Sequence, residues 1–130
     1  MNKIKSINTK NAPAALGPYS QAVQAGGFIY ISGQIPLVPT TMEIVSEDFD
    51  KQATQVFNNL KVIIEEAGCS LTDIVKVNVY LKDLSNFQKV NVIMEKFFTE
   101  KPFPARAAVE VSRLPKDVEI EMDAVVFSDD

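Results

Sequence analysis

Ile74-Val75-Lys76-Val77-Asn78-Val79-Tyr80-Leu81-Lys82 is the stretch that decides the fold. Apolar and polar residues alternate along it. Val75, Val77, Val79 and Leu81 point to one side of a strand; Lys76, Asn78, Tyr80 and Lys82 point to the other. A strand with one apolar face needs cover on that face alone, and helical patterns flank it in sequence. Upstream, Ala53, Val56, Phe57, Leu60, Ile63, Ile64 and Ala67 recur at helical spacing, with Gly68 as the stop. Downstream, Phe87, Val90, Met94, Phe97 and Phe98 form a second apolar stripe. Ser85 and Gln88 have the spacing of a capping box before it, and Pro102 and Pro104 end it.

Further out, Gly26-Gly27 precedes an alternating run, Phe28 to Ser32. Near the C-terminus, Ala107, Val109 and Val111 alternate with Arg106, Ala108 and Glu110. Val118, Ile120, Met122 and Ala124 alternate with Glu119, Glu121 and Asp123. Leu114-Pro115-Lys116-Asp117 is the turn between these runs, and Asn11–Tyr19 and Pro36–Thr41 read as ordered loops. The order is strand or strands, helix, strand, helix, strand, strand. The expectation is one α+β domain spanning residues 1–130, with both helices on one face of one sheet. The opposite face is left for water or for another copy of the chain.

Composition narrows the chemistry. The chain has 130 residues, 46% hydrophobic and 23% charged, enough to bury a core without metals or disulfides. A net charge of -4 and scattered lysines speak against a nucleic-acid partner, which needs a basic stripe. No apolar run is long enough to cross a membrane, and Met1-Asn2-Lys3-Ile4-Lys5 lacks a signal-peptide core behind its charges. These features predict a soluble, cytoplasmic protein. With no histidine and one cysteine, Cys69, Ser-His and Cys-His catalysis are excluded, as are the usual zinc sites. Catalysis must come from carboxylates, Arg, Lys, Tyr, hydroxyls or backbone.

Strand parity gathers candidates. If Ile29 and Ile31 face the helices, Tyr30 and Ser32 face away. The same alternation sends Asn78, Tyr80, Arg106 and Glu121 to that uncovered face. Arg106 can be read there as a solvated residue, or as a cross-strand partner of Glu119 or Glu121. Glu119, Glu121 and Asp123 recur about 7 Å apart, too far to converge on a single hard cation, so no metal is expected.

Several motifs occur in order. They are Asn11-Ala12-Pro13-Ala14-Ala15-Leu16-Gly17-Pro18-Tyr19-Ser20-Gln21, Ser32-Gly33-Gln34-Ile35-Pro36, Val75-Lys76 through Lys82-Asp83-Leu84, Pro104 to Val111, and Arg113-Leu114-Pro115-Lys116-Asp117. Together they resemble the Rid/YjgF family, specifically its RidA-type reactive intermediate deaminases, from about Asn11 to about Val126. The resemblance implies a chorismate-mutase-like fold with two helices on one face of a mixed six-stranded sheet. It implies a homotrimer with clefts between subunits, and it implies an activity without a cofactor. That activity is hydrolysis of enamine and imine acids, such as 2-aminoacrylate and 2-iminobutanoate, to 2-keto acids and ammonia.

By the same resemblance, Arg106 grips the substrate carboxylate with two parallel hydrogen bonds. Glu121 holds and polarises a water as general base or proton shuttle. Tyr19 covers the pocket, reaching it from a neighbouring subunit; Ser32 and Gly33 offer hydroxyl or backbone contacts. Asn91 lies near the cleft, and the backbone at Ala107 and Ala108 supplies polar groups. Ala107 stands where Ser or Thr is common and Ala108 where many members carry cysteine, so no thiol is available in this strand. Two other functions share these residues. A non-catalytic sensor of small carboxylate metabolites needs Arg106 alone. An endoribonuclease or translation inhibitor fits poorly with the acidic balance and missing histidine.

Overall fold

The computed structural model describes residues 3–128; Met1, Asn2, Asp129 and Asp130, included in the expected domain, lie outside it. The strands are β1 (Ile4–Ile7), β2 (Ala22–Ala25), β3 (Phe28–Gln34), β4 (Ile74–Leu81), β5 (Ala105–Glu110) and β6 (Ile120–Phe127). The helices are α1 (Phe49–Glu66) and α2 (Phe87–Phe97). The strands form one sheet in the order β1-β2-β3-β6-β4-β5. Only β4 and β5 pair in parallel, joined by the crossover through α2; every other neighbouring pair is antiparallel. The sheet is therefore mixed, as the resemblance implied.

Both helices cover one face. Val56, Phe57, Leu60, Ile63 and Ile64 of α1 are fully buried, as are Ile29, Val77, Val79, Leu81, Ile120 and Met122 of the sheet. Phe57 stacks on Phe97 at 4.7 Å and meets Phe98 edge-on at 5.9 Å, which locks α1 to the end of α2. The Asp48 side chain caps α1 by accepting from the Lys51 backbone N–H at 3.0 Å. Beyond the helix, Gly68 takes φ +81°, a turn that strains other residues. Two polar residues in α1 tie the helix to neighbouring chain. Gln52 accepts from Glu119 N–H at 2.8 Å, fixing the start of β6. Asn59 donates to the Leu37 carbonyl at 3.0 Å, fixing the loop after β3.

Four local expectations need correction. The capping box at Ser85 and Gln88 does not form; a 3-10 turn, Leu84–Asn86, comes first, and Ser85 N–H donates to Asp83 at 2.9 Å. Val75 does not face the helices. A register shift between Ile74 and Lys76 turns it out, 42% exposed, and Ile74 is buried instead. β5 and β6 are not neighbours, because β4 lies between them, so Arg106 has no cross-strand partner on β6.

Most consequential, the parity of β5 is the reverse of the sequence reading. Arg106 sits opposite Val77, Ala108 opposite Val79 and Glu110 opposite Leu81, all on the helix side. Ala107 and Val109 sit opposite Asn78 and Tyr80 on the open face. The Glu110 carboxylate confirms the direction by accepting from Leu84 N–H, just before α2, at 2.9 Å. On an exposed edge strand with small residues on both sides, alternation carries little hydrophobic signal. The register with β4 is what sets the face.

Candidate functional site

The first half of the site forms where β3 crosses β6. Ile31 pairs with Ala124, but Gln34 pairs with Met122, so β3 carries one extra residue there. The bulge keeps Gln34 buried on the helix side and turns Ser32 and Gly33 outward. Ser32 N–H donates to the Gln21 carbonyl at 2.9 Å, and Ser32 Oγ donates to the Ser20 carbonyl at 2.6 Å. Its hydroxyl is thus committed to the proline-rich loop. Gly33 lies directly beneath Glu121. A Cβ at this position would overlap the Glu121 carboxylate and lie 3.0 Å from its Cδ, so only glycine leaves that carboxylate its place.

Gln21, which the sequence reading did not single out, organises the loop. Its side-chain amide accepts from Thr9 N–H at 2.7 Å and donates to the carbonyls of Thr9 at 3.1 Å and Pro13 at 2.8 Å. A buried Gln beside a proline-rich loop was the available signal, since such a loop has few internal hydrogen bonds of its own. Held this way, the loop presents Tyr19, 56% exposed, to a cleft of about 290 Å³ that also meets Leu16, Gly33, Met42, Lys116 and Glu121. Burial pushes the Glu121 pKa up from its ordinary value, and the neighbouring Asp123 adds to it.

The second half lies on the other side of the sheet. Arg106 Nη1 donates to Asn91 Oδ1 at 2.5 Å and approaches Met94 Sδ at 3.4 Å. The guanidinium lies 4.8 Å from the centre of the Phe87 ring. Three residues of α2 therefore aim it. Neither ion pair among the described residues uses Arg106, which leaves its charge available. It lines a cleft of about 500 Å³ with Asn91, Met94, Phe98, Phe103 and Pro104. The helical period marks Phe87 and Met94 only as core; their spacing around Asn91, on the face that meets β5, is the signal that they also aim Arg106.

Within one chain the predicted residues thus fall into two groups. Tyr19, Gly33 and Glu121 share one cleft; Arg106 and Asn91 share another. Ala107 points to the open face and Ala108 packs on the core, so neither side chain meets Arg106's cleft. Both belong to the edge strand, whose outer backbone groups are not used by the sheet. Among the described residues, no group of three or more His, Cys, Asp or Glu side chains is placed to hold a metal, and no helix is long and apolar enough to cross a membrane.

Residues 9–128 match the sequence profile of the family described as Endoribonuclease L-PSP, the Rid/YjgF proteins. The chain belongs to this family. A Rid/YjgF relative from Salmonella typhimurium, named 2-iminobutanoate/2-iminopropanoate deaminase, is 53% identical over 123 residues, covering 93% of this chain and 95% of that protein. RidA from the Antarctic bacterium Psychrobacter superposes with a TM-score of 0.90 at 49% identity, over 95% of this chain and 98% of that one. Escherichia coli TdcF, solved with bound serine, superposes with a TM-score of 0.89 at 42% identity and the same coverage. The six-stranded sheet with two helices on one face is thus the Rid/YjgF fold.

Proposed function

We propose that this chain is a hydrolytic deaminase of small 2-imino and enamine acids, working as a homotrimer with its sites between subunits. The observation that carries the reading is the pairing of an aimed, unneutralised Arg106 with a half-buried Glu121 whose carboxylate lies over Gly33. The deaminase name of a relative 53% identical supports the reaction type. The serine bound to TdcF supports a small carboxylate-bearing ligand.

In the proposed reaction Arg106 takes the substrate carboxylate by two parallel hydrogen bonds and fixes the plane of the imine. Glu121 accepts a proton from a water as the water oxygen bonds to C2. That proton passes to the imine nitrogen as the C=N pair moves onto it, giving a carbinolamine; Glu121 then takes the hydroxyl proton and hands it to the same nitrogen as the C2=O bond forms. The C–N bond breaks, and a 2-keto acid and ammonia leave. Imine hydrolysis already proceeds in water, so positioning and one aligned base supply what is needed. Tyr19 shelters the pocket. Ser32 acts through its hold on the loop, and the edge backbone at Ala107 and Ala108 offers the substrate polar groups.

Two features favour assembly. Arg106 and Glu121 occupy opposite faces of one sheet, so a single site needs Arg106 of one copy and Glu121 of another. The open face also exposes Phe28, Tyr30, Val109 and Phe127, an apolar surface that a second copy would cover. The test couples the purified protein to a serine or threonine dehydratase and follows keto-acid and ammonia release. Acceleration over the spontaneous rate supports the reading. Tight keto-acid binding without turnover would replace it with a metabolite sensor.

A further inference from the structure

A polar cluster that the proposed reaction does not use lies beside Glu121 on the open face. Asp123 is two residues further along β6, so it shares that face. Both of its carboxylate oxygens are held. Oδ1 accepts from Asn78 Nδ2 at 2.8 Å, and Oδ2 accepts from the Tyr80 hydroxyl at 2.8 Å. In the β4–β6 register Asn78 is opposite Asp123 and Tyr80 is opposite Glu121. Tyr80 therefore starts across from Glu121 and reaches diagonally to Asp123. The neighbouring positions of this face, Tyr30, Val109 and Phe127, are apolar or aromatic, so a carboxylate fixed by two donors stands out among them.

We infer that Asp123, fixed in place by Asn78 and Tyr80, is a positioning residue that makes the Glu121 carboxylate a stronger base toward the attacking water. The inference rests on Glu121 being the base of the proposed reaction. A negative charge about 7 Å along the same strand face disfavours a second one beside it, so the Glu121 anion gains affinity for a proton. The direction of the Glu121 pKa, raised by burial and then by Asp123, agrees. Other titratable groups surround the same carboxylate. Glu119 lies two residues earlier in the chain, just before β6. Tyr80 lies across from it on β4, Lys82 follows β4 across from Glu119, and Tyr19 and Lys116 approach from the loop and the turn. Lys82 is engaged elsewhere, 2.8 Å from Asp117 and 4.0 Å from Glu119.

The experiment compares wild type with Asp123→Asn and Tyr80→Phe by two readouts. One is the acid limb of the kcat/KM–pH profile in the dehydratase-coupled assay. The other is the carboxyl ¹³C titration of Glu121, assigned by its loss in Glu121→Gln. Asp123→Asn is expected to move both the limb and the titration to lower pH. Tyr80→Phe keeps the Asp123 charge, so neither readout moves down. Should Asp123→Asn fail to fold, Asp123→Ser serves as the neutral variant. A Glu121 titration unmoved by loss of the Asp123 charge overturns the inference, and so does an equal downward shift in Tyr80→Phe. If the wild type shows no turnover, the proposed reaction fails by itself; the carboxyl titration needs no substrate and still decides the role of Asp123.

Discussion

Gly33→Ala separates catalysis from folding. The backbone at Gly33 is outside the left-handed region, so alanine adopts it without strain. On the side of the unfolded chain, a glycine-to-alanine change at a compatible position favours folding by about 0.4–1 kcal/mol. The added methyl group cannot coexist with the present Glu121 carboxylate: it would overlap an oxygen and sit 3.0 Å from Cδ and 3.4 Å from Cγ. Glu121 is only half-buried and can swing aside, at the cost of moving its carboxylate by an ångström or more. A misplacement of about 1 Å costs on the order of 10²-fold in rate, equivalent to about 2.7 kcal/mol of barrier. The expected result is a kcat/KM reduced about a hundredfold in the dehydratase-coupled assay, with a melting temperature within a few degrees of wild type. Wild-type kcat/KM in a folded Gly33→Ala would show that the carboxylate above Gly33 is not the one that acts on water.

Other outcomes follow from the same geometry. In the proposed binding mode Arg106→Ala removes two charge-assisted hydrogen bonds to the substrate, worth about 1.5–3 kcal/mol each, so kcat/KM should fall by roughly 10²–10⁴-fold. Because Arg106 is exposed, thermal unfolding should barely change. Asn91→Ala removes the acceptor that aims the guanidinium, and steady-state kinetics should show a loss of about tenfold, smaller than for Arg106→Ala. Glu121→Gln should raise stability at neutral pH. The folded-state pKa of Glu121 lies above its unfolded value, so the stabilisation is full below the usual carboxylate range and is lost as pH rises through the raised value. Glutamine cannot ionise and avoids that loss. Denaturant melts of the two proteins should therefore diverge at neutral pH and converge in acid.

Much of the fold is legible in the sequence because helices and central strands bury one face and leave a strong period. Ala53 to Ala67 marks α1, and Val77, Val79 and Leu81 mark β4, all of them buried apart from the helix end. The motifs carry the six-stranded sheet and the candidate residues by resemblance. What sequence could not show depends on register. The bulge at Ile74 and Lys76 inverts Val75, and pairing with β4 rather than alternation places Arg106 on the helix side. That one reversal changes the site: Arg106 and Glu121, grouped by parity on one face, lie on two. Gln21 and the Asp123 cluster escape sequence reading because their roles lie in hydrogen bonds between distant segments.

In the proposed assembly a working site takes Arg106 from one copy and Glu121 from its neighbour. Its most direct test mixes two inactive proteins, Arg106→Ala and Glu121→Gln, by joint refolding in equal amounts. In a randomly mixed cyclic trimer, a site is intact when its arginine donor is one variant and its glutamate donor the other, which holds for about a quarter of sites. Each variant alone should be inactive, and the mixture should recover about a quarter of wild-type activity. A mixture as inactive as its parents would place both residues in sites within one chain and rule out a site shared between copies.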